Sequence, residues 1–423
     1  MSNAASSVAP GILRHLVAVA ALFLCALPGP AAARGFGQGV SLNNWFTWPR
    51  YAGWDKPGVL TPAYVPIRHE QGKAALATIR TLGFKTLRLG VDPAPFIALE
   101  GEARAEAKAH VLGAVRQALD TGMDVILDIH PNSRHKIYGQ FAVIRGPDDE
   151  MFRNLLGVIG DFAGDLSRLP AGRVALEVMN EPRLKCQGDE QERWNTMLDA
   201  MIGAARRVSP KLPVIISGSC MSAYNGLLAL DPGRWNDPNL IFTFHFYEPF
   251  VFTHQNAAFI AWPEKHLRNL PWPPRPAQDM SPWMNDAEQF LQTVPEETRS
   301  ATRANVQRVL AQYLLSGANR GTIDKRFAEV GAWADKHGVA RNRIHIGEFG
   351  VWSDRGPRSG ATCADRARWL RDFREASDRA GFIWTFFHYD GPFGIVRDKP
   401  TRTIDGEAMK ALGLAKTGSC PAE

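Results

Sequence analysis

Cysteine is scarce in this chain, five in 423 residues, and the spacings of Cys186, Cys220, Cys363 and Cys420 match no zinc-binding pattern. Basic blocks are missing too, as is any alternation of basic and aromatic residues, so nucleic acid is not an implied partner. The formal charge is only +6, which reads as solubility and points to a neutral or weakly charged substrate. No glycine-rich phosphate turn follows the first strand-like run, which argues against a doubly wound nucleotide-binding sheet. Gly218-Ser219-Cys220 lacks the G-x-S-x-G form of a serine elbow. No linker, low-complexity stretch or internal repeat divides the chain. The apolar run LVAVAALFLCAL at 16–27 is about a dozen residues, too short to span the ~30 Å core of a bilayer comfortably.

That run has a different use. It follows Arg14 and His15 and leads through Pro28, Gly29 and Pro30 to three alanines, the pattern of a secretory signal cleaved after Ala33. Residues 1–33 are therefore expected to be removed, and the mature protein to be secreted or periplasmic, with no membrane contact afterwards. Cys25 is preceded by Leu24 rather than by small residues, so a lipoprotein anchor is set aside. Removing Arg14 leaves a mature charge of about +5. Four cysteines remain, and an even count in an exported chain favours disulfides, with three connectivities open.

Beyond Arg34 short apolar runs alternate with amphipathic stretches. Strands are expected at 37–42, 86–91, 125–130, 174–179, 214–217, 240–246, 344–349 and 382–387. Helical patterns lie between them at 70–82, 103–119, 151–167, 191–208, 326–336 and 365–380. Strands apolar on both faces, joined by connections long enough for a crossover, call for a parallel sheet, and eight such units close into a (β/α)8 TIM barrel. One catalytic domain is expected over 34–423. Its exception is the stretch 248–321, a long insertion between strand 6 and the next helix that holds Trp262, Trp272 and Trp283. Cys186 and Cys220 follow neighbouring strands on one barrel face and are the expected pair, which leaves Cys363 for Cys420.

In a barrel the carboxyl ends of the strands converge on the face that carries chemistry. Read at those positions, the sequence gives Asn43, Asn44 and Trp45; Arg88; Asp128 and His130; Asn180 and Glu181; His245 and Tyr247; Glu348; Trp384 and Phe387. Two of these are glutamates that end buried runs, RVALEVMNEP at 173–182 and RIHIGEFG at 343–350. Acid-catalysed cleavage of a glycosidic bond needs such a pair, one to protonate the leaving oxygen and one to attack carbon or activate water. A lone strand-end Glu is more often merely solvated, and His130, His245 or Trp384 alone could be core residues. Their joint placement favours chemistry.

At these residues the chain resembles glycoside hydrolase family 5, the cellulase family of retaining barrel glycosidases. The ordered set is GVSLNNWF at 39–46, LRLGV at 87–91, LDIH at 127–130, NEP at 180–182, HFY at 245–247 and GEFG at 347–350. The resemblance implies Glu181 as acid/base, Glu348 as nucleophile and Asn180 on the sugar 2-hydroxyl. It also implies Arg88 and Tyr247 on the nucleophile, with His130 and His245 in the cleft; Trp45 and Trp384 are expected from their strand-end places to bind substrate. The chain departs from the family at strand eight, where IWTFFH places Phe387 at the usual stacking tryptophan. The implied activity is retaining hydrolysis of a β-linked glucan or related oligosaccharide by a monomer, with no metal or cofactor. Asp128 with His130 could start a metal site, but no second strand-end pair of histidines completes it.

For the reaction, Arg88 and Tyr247 should hold Glu348 as an anion, while Glu181, lacking a cation of its own, should be kept protonated by the charge of Glu348. Of Trp45, Trp48, Trp54, Trp262, Trp272, Trp283 and Trp352, two or three are expected to line the cleft. A carbohydrate-binding barrel without catalysis would also keep aromatics, yet has little reason to hold both glutamates and Arg88. Mannan and exo-β-1,3-glucan specificities stay open.

Overall fold

The computed structural model describes residues 1, 36–257, 259–260, 263–277, 279–353, 360–398 and 401–420. The chain divides into compact units at 1–31 and 32–423. The expected leader, with Cys25, lies outside the described residues, and the second unit carries the fold. Its eight strands are β1 (Gly39–Ser41), β2 (Thr86–Val91), β3 (Asp124–Ile129), β4 (Val174–Glu177), β5 (Val214–Ser217), β6 (Leu240–Phe246), β7 (Ile344–Phe349) and β8 (Ile383–Phe386). They are parallel and run in chain order around a closed barrel, sealed where Gly39 pairs with Thr385 and Val40 with Phe386. Four strands have the expected bounds, and the other four differ only at their ends.

The helices are α1 (Pro66–Thr81), α2 (Ala94–Ala98), α3 (Gly101–Asp120), α4 (Gln140–Val143), α5 (Glu150–Leu166), α6 (Gly188–Val208), α7 (Tyr224–Leu228), α8 (Phe250–Thr253), α9 (Ser281–Leu291), α10 (Glu296–Leu315), α11 (Arg320–Lys336), α12 (Cys363–Ala380) and α13 (Gly406–Ala411). The six helical patterns read from the sequence correspond to α1, α3, α5, α6, α11 and α12, each longer at its start. That error has local causes. Proline at the head of α1 and the capping side chains of Asn319 and Thr362 begin helices before the apolar rhythm does.

Alternation along the strands divides the core. Outward residues such as Leu87, Leu127, Leu176, Ile216, Phe244 and Trp384 join the helices in one large apolar cluster. Inward residues at the barrel floor form a small separate cluster of Phe36, Ile126, Ala175, Ile215 and Ile241, with Ile383 against it. Two positions further along those same strands the inward residues turn polar: Asp128, Glu177, Ser217, Thr243 and Thr385, all buried. The barrel thus carries an apolar plug below and charge above.

One irregularity re-aims a side chain. Phe244 pairs with Ile346 but His245 pairs with Glu348, so β7 has one extra residue, Gly347. A bulge of this kind bends a strand and changes which side chain faces the partner. Ile346 points outward, and without the bulge Glu348 would do the same; with it, Glu348 turns into the barrel beside His245.

The insertion is ordered by burial. Trp272 is buried and its indole donates to Asp372 of α12 at 2.8 Å, while its backbone N–H donates to Asp365 at 2.7 Å. Tyr313 on α10 donates to the Pro271 carbonyl at 2.6 Å. The segment is therefore more than a loop: it carries α9 and α10 and is anchored to α12 through Trp272. A short hairpin, β9 (Val396–Asp398) with β10 (Thr403–Ile404), and α13 complete the chain after β8, and the sequence reading anticipated neither.

Candidate active site

The centre of the site is a guanidinium. Arg88 on β2 is buried, and its Nε and Nη2 donate to the two oxygens of Glu177 at 2.7 and 2.9 Å. Nη2 also reaches Asn180 Oδ1 at 2.9 Å and Asp128 Oδ2 at 3.0 Å, and Nη1 donates to Glu348 Oε1 at 2.8 Å. A planar fork matches carboxylates pairwise, which suits arginine to this post better than lysine. Glu348 receives a second bond, from the Tyr247 hydroxyl at 3.1 Å.

Glu181 leaves β4 by a sharp turn. Its backbone φ of +43° is uncommon for a residue with a side chain, and such conformations persist where the surroundings fix them. The surroundings here are the loop after β5, where Cys220, Met221 and Ser222 share that left-handed conformation. The Met221 N–H donates to the Pro182 carbonyl at 3.0 Å and the Cys220 N–H to Leu184 at 2.8 Å, while Cys186–Cys220 closes the two loops covalently. The other disulfide joins Cys363 to Cys420. Both pairs are the expected ones.

Between the glutamates sits His245, its Nδ1 2.9 Å from Glu181 and 3.6 Å from Glu348. The expectation that Glu181 has no cation needs correcting. Burial pushes its carboxyl up, but the hydrogen bond and charge of His245 pull harder and hold it below the usual carboxylate range. His245 is itself raised: burial opposes its charge, and Glu348 and Glu181 outweigh that opposition. The two directions agree on a carboxylate at Glu181 facing a protonated imidazole at His245 across 2.9 Å.

A second chain orients the amide. His130 Nδ1 lies 2.7 Å from Asp128, and the Asn180 amide nitrogen lies 3.3 Å from His130 Nε2. Because Asn180 Oδ1 already accepts from Arg88, its NH2 must face His130 and the cleft, as a donor to a sugar hydroxyl requires. Burial works against the charge on His130, but Asp128 overcomes it and raises the imidazole.

The aromatic candidates divide. Phe387 is half-buried at the end of β8, its ring 5.8 Å from Phe393. Trp45 and Trp384 are not brought to the carboxylates. Trp45 is buried beneath α1, in the space that Gly72 leaves, and Trp384 points outward against Phe349. Trp48 and Trp54 form an exposed edge-to-face pair after β1, with centroids 6.3 Å apart. Trp352 sits between Phe393 and Phe259 at 5.5 and 5.7 Å. Trp272 and Trp283 anchor the insertion instead, and Trp262 lies outside the described residues.

Sequence reasoning missed Glu177, His254 and the bulge at Gly347. Glu177 had a signal: a carboxylate inside an apolar run, at the inward parity of Ala175. His254, stacked on Phe250 at 3.9 Å and edge-on to Tyr247 at 5.0 Å, had none, because it lies in the insertion.

Glu181, His245 and Glu348 each offer a donor atom, all within 4.8 Å of one another. Such a trio could hold a metal, but at Glu348 the Arg88 guanidinium is already the seated cation. Two carboxylates this close, at the mouth of an eight-stranded parallel barrel, are what double-displacement glycoside hydrolysis requires, since an inverting pair stands ~6.5–9.5 Å apart. The sequence model described as Cellulase (glycosyl hydrolase family 5) matches residues 44–390. The chain belongs to this family. It is 24% identical over 356 residues to Endoglucanase 3 of Fibrobacter succinogenes, covering 82% of this chain and 49% of the relative, and so spans about half that protein's length. Endoglucanase C of Acetivibrio thermocellus is 21% identical over 81% of this chain and 90% of its own. Among solved structures, the cellulose synthase subunit Z of Clostridioides difficile superposes with a TM-score of 0.61 at 20% identity, covering 89% of this chain and 99% of that one. Cel5A of Thermotoga maritima, solved in complex with mannotriose, also gives 0.61, at 18% identity over 90% of this chain and 98% of its own. These likenesses carry the fold.

Proposed function

We propose that this protein is an exported retaining glycoside hydrolase acting on β-linked glucans, with Glu348 as nucleophile and Glu181 as acid/base. The observation that carries the reading is the spacing of the two carboxylates around His245. Glu348, fixed by Arg88 and Tyr247, attacks the anomeric carbon; Glu181 takes the proton of His245 Nδ1 and passes it to the leaving oxygen. Once the glycosyl-enzyme forms, the charge of Glu348 is gone, and Glu181 draws a proton from water in the second step. Asn180 donates to the 2-hydroxyl, a bond that strengthens in the transition state.

Family membership and the endoglucanase relatives support a β-glucan substrate. Phe387 offers a smaller stacking face than an indole, and the Cel5A of Thermotoga maritima has been solved with mannotriose, which keeps mannan as a second reading. The leader-like pattern at 1–33 and the two disulfides support export. No helix among the described residues is long and apolar enough to cross a membrane. We read residues 34–423 as one catalytic domain that works as a monomer. Release of reducing ends from a panel of β-1,4-glucan, β-1,3-glucan, mixed-linkage glucan and mannan, with product sizing, tests the function: turnover on a β-glucan is expected, and inertness on the whole panel would refute it.

A further inference from the structure

The barrel interior holds a carboxylate for which the reaction above has no use. Glu177 is buried, seated one turn of the pleat below Asn180, and both its oxygens accept from Arg88. The two bonds are parallel and fix the plane of the guanidinium about its own Nε–Nη2 edge. Only the Nη1 corner is then free to reach across the barrel, and it is that corner which donates to Glu348 at 2.8 Å. Turning the guanidinium away from Glu348 would break both bonds to Glu177, and leaving such buried groups unpaired is costly.

Charge leads to the same residue. One cation, Arg88, faces three carboxylates: Asp128 on β3, Glu177 on β4 and Glu348 on β7. Around them stand His130 just after β3, His245 on β6, His345 on β7 and Glu181 beyond β4. In a low-dielectric interior, the negative charge of Glu177 offsets part of the field of Arg88 at Glu348. A nucleophile held by an unshared arginine would be a stable anion and a poor attacker.

We propose that Glu177 is a positioning residue for the nucleophile: it aims Arg88 at Glu348 and, by taking two of the guanidinium's hydrogen bonds, keeps that cation from closing on Glu348 alone. This rests on Glu348 being the nucleophile. Aim and charge are separable by substitution. Glu177→Gln keeps the length and removes the charge; Glu177→Asp keeps the charge and withdraws it by one methylene.

The test uses the full mature enzyme and 2,4-dinitrophenyl β-cellobioside, whose leaving group needs no proton, so the acidic limb of kcat/KM reports the attacking carboxylate. Wild-type turnover of this substrate, with a covalent fluoro-sugar adduct on Glu348, establishes the underlying reading independently; without it, that reading has failed rather than this one. For Glu177→Gln, kcat should fall roughly tenfold to a hundredfold as aim is lost, and the acidic limb should move to lower pH, because a negative charge beside Arg88 has been removed. For Glu177→Asp, the rate should fall similarly while the limb stays in place. A purely structural role would lower the melting temperature and leave both limbs unmoved. Wild-type rate in Glu177→Asp, or an unshifted limb in folded Glu177→Gln, overturns the proposal; if the Gln variant does not fold, the Asp variant decides.

Discussion

Arg88 has more bonds to make than any other residue of the site, and the roles of the two glutamates follow from how it divides them. Glu348 touches it directly and Glu181 does not, so the two should fail differently. Glu348→Ala is expected to lose about a thousandfold or more on every glycoside, and added azide should restore turnover with inverted product. Glu181→Ala should still form the covalent intermediate quickly from substrates with good leaving groups, losing about a hundredfold or more only where acid or base help is needed. Stopped-flow measurement of the burst separates the two; equal, small losses in both variants would sink the assignment.

Much of this was legible at single-residue level because strand ends in a barrel are a short list of positions. Arg88, His130, Asn180, Glu181, His245, Tyr247 and Glu348 all meet there. Trp384 misleads for a reason that period-two alternation already contains: it lies between Ile383 and Thr385, both inward, so it must point out to the helices. Glu177 obeys the same rule in the opposite sense. Trp45 could not be placed this way, since it follows the last paired residue of β1 and its direction is set by the gap at Gly72. The pull of His245 on Glu181 was hidden as well, because a distance between strands 4 and 6 has no trace in either segment.

At the scale of elements, the bulge in β7 decides where Glu348 points. A Cβ on Gly347 would lie 2.7 Å from Thr243 Oγ1 and 3.1 Å from His245 Nε2, too near for either to stay. Gly347→Ala should therefore displace His245 and Glu348 together, costing about 1–3 kcal/mol of stability by overpacking and roughly a hundredfold in kcat by misalignment. Thermal melts and initial rates check it, and wild-type activity in this variant would show that the bulge is idle.

The insertion carries a different lesson. Trp272 is a core residue, so removing 257–282 would open the main core rather than trim a loop. Its exposed tip, Phe259, rests against Trp352, which is in ring contact with Phe393 and so with Phe387 at the end of β8. Phe259→Ala should change the lengths of oligosaccharide products without moving the melting temperature by more than a degree or so, as for surface substitutions generally. Trp272→Ala should instead destabilise the protein by about 3–5 kcal/mol. Identical product profiles for Phe259→Ala and wild type would remove the tip from the cleft.

For the whole molecule, stability and catalysis meet in buried histidines. Burial lowers His254 from 6.5 to about 3, and His345 well below its ordinary value. The unfolded chain binds protons at these sites that the folded one refuses, so their contribution is full above about pH 6.5 and is lost as pH falls toward about 3. Asp92, beside Tyr51, acts the other way, since burial raises it to about 7. A single-site comparison is therefore the clean one. His254→Phe, which keeps the stack on Phe250, should flatten the fall in melting temperature between pH 6.5 and 4; an unchanged slope would mean that His254 is not buried as a neutral ring.

Retention at the anomeric carbon follows from the distance between the two carboxylates and from the attack it implies. Proton NMR of the first sugar released by the wild-type enzyme, recorded before mutarotation, reads that chemistry without any variant. The prediction is a β-configured product, retained from a β-linked glucan, from a pair whose donor oxygens lie within 4.8 Å. An α-configured first product would mean that water, not Glu348, attacks the anomeric carbon, and would contradict it.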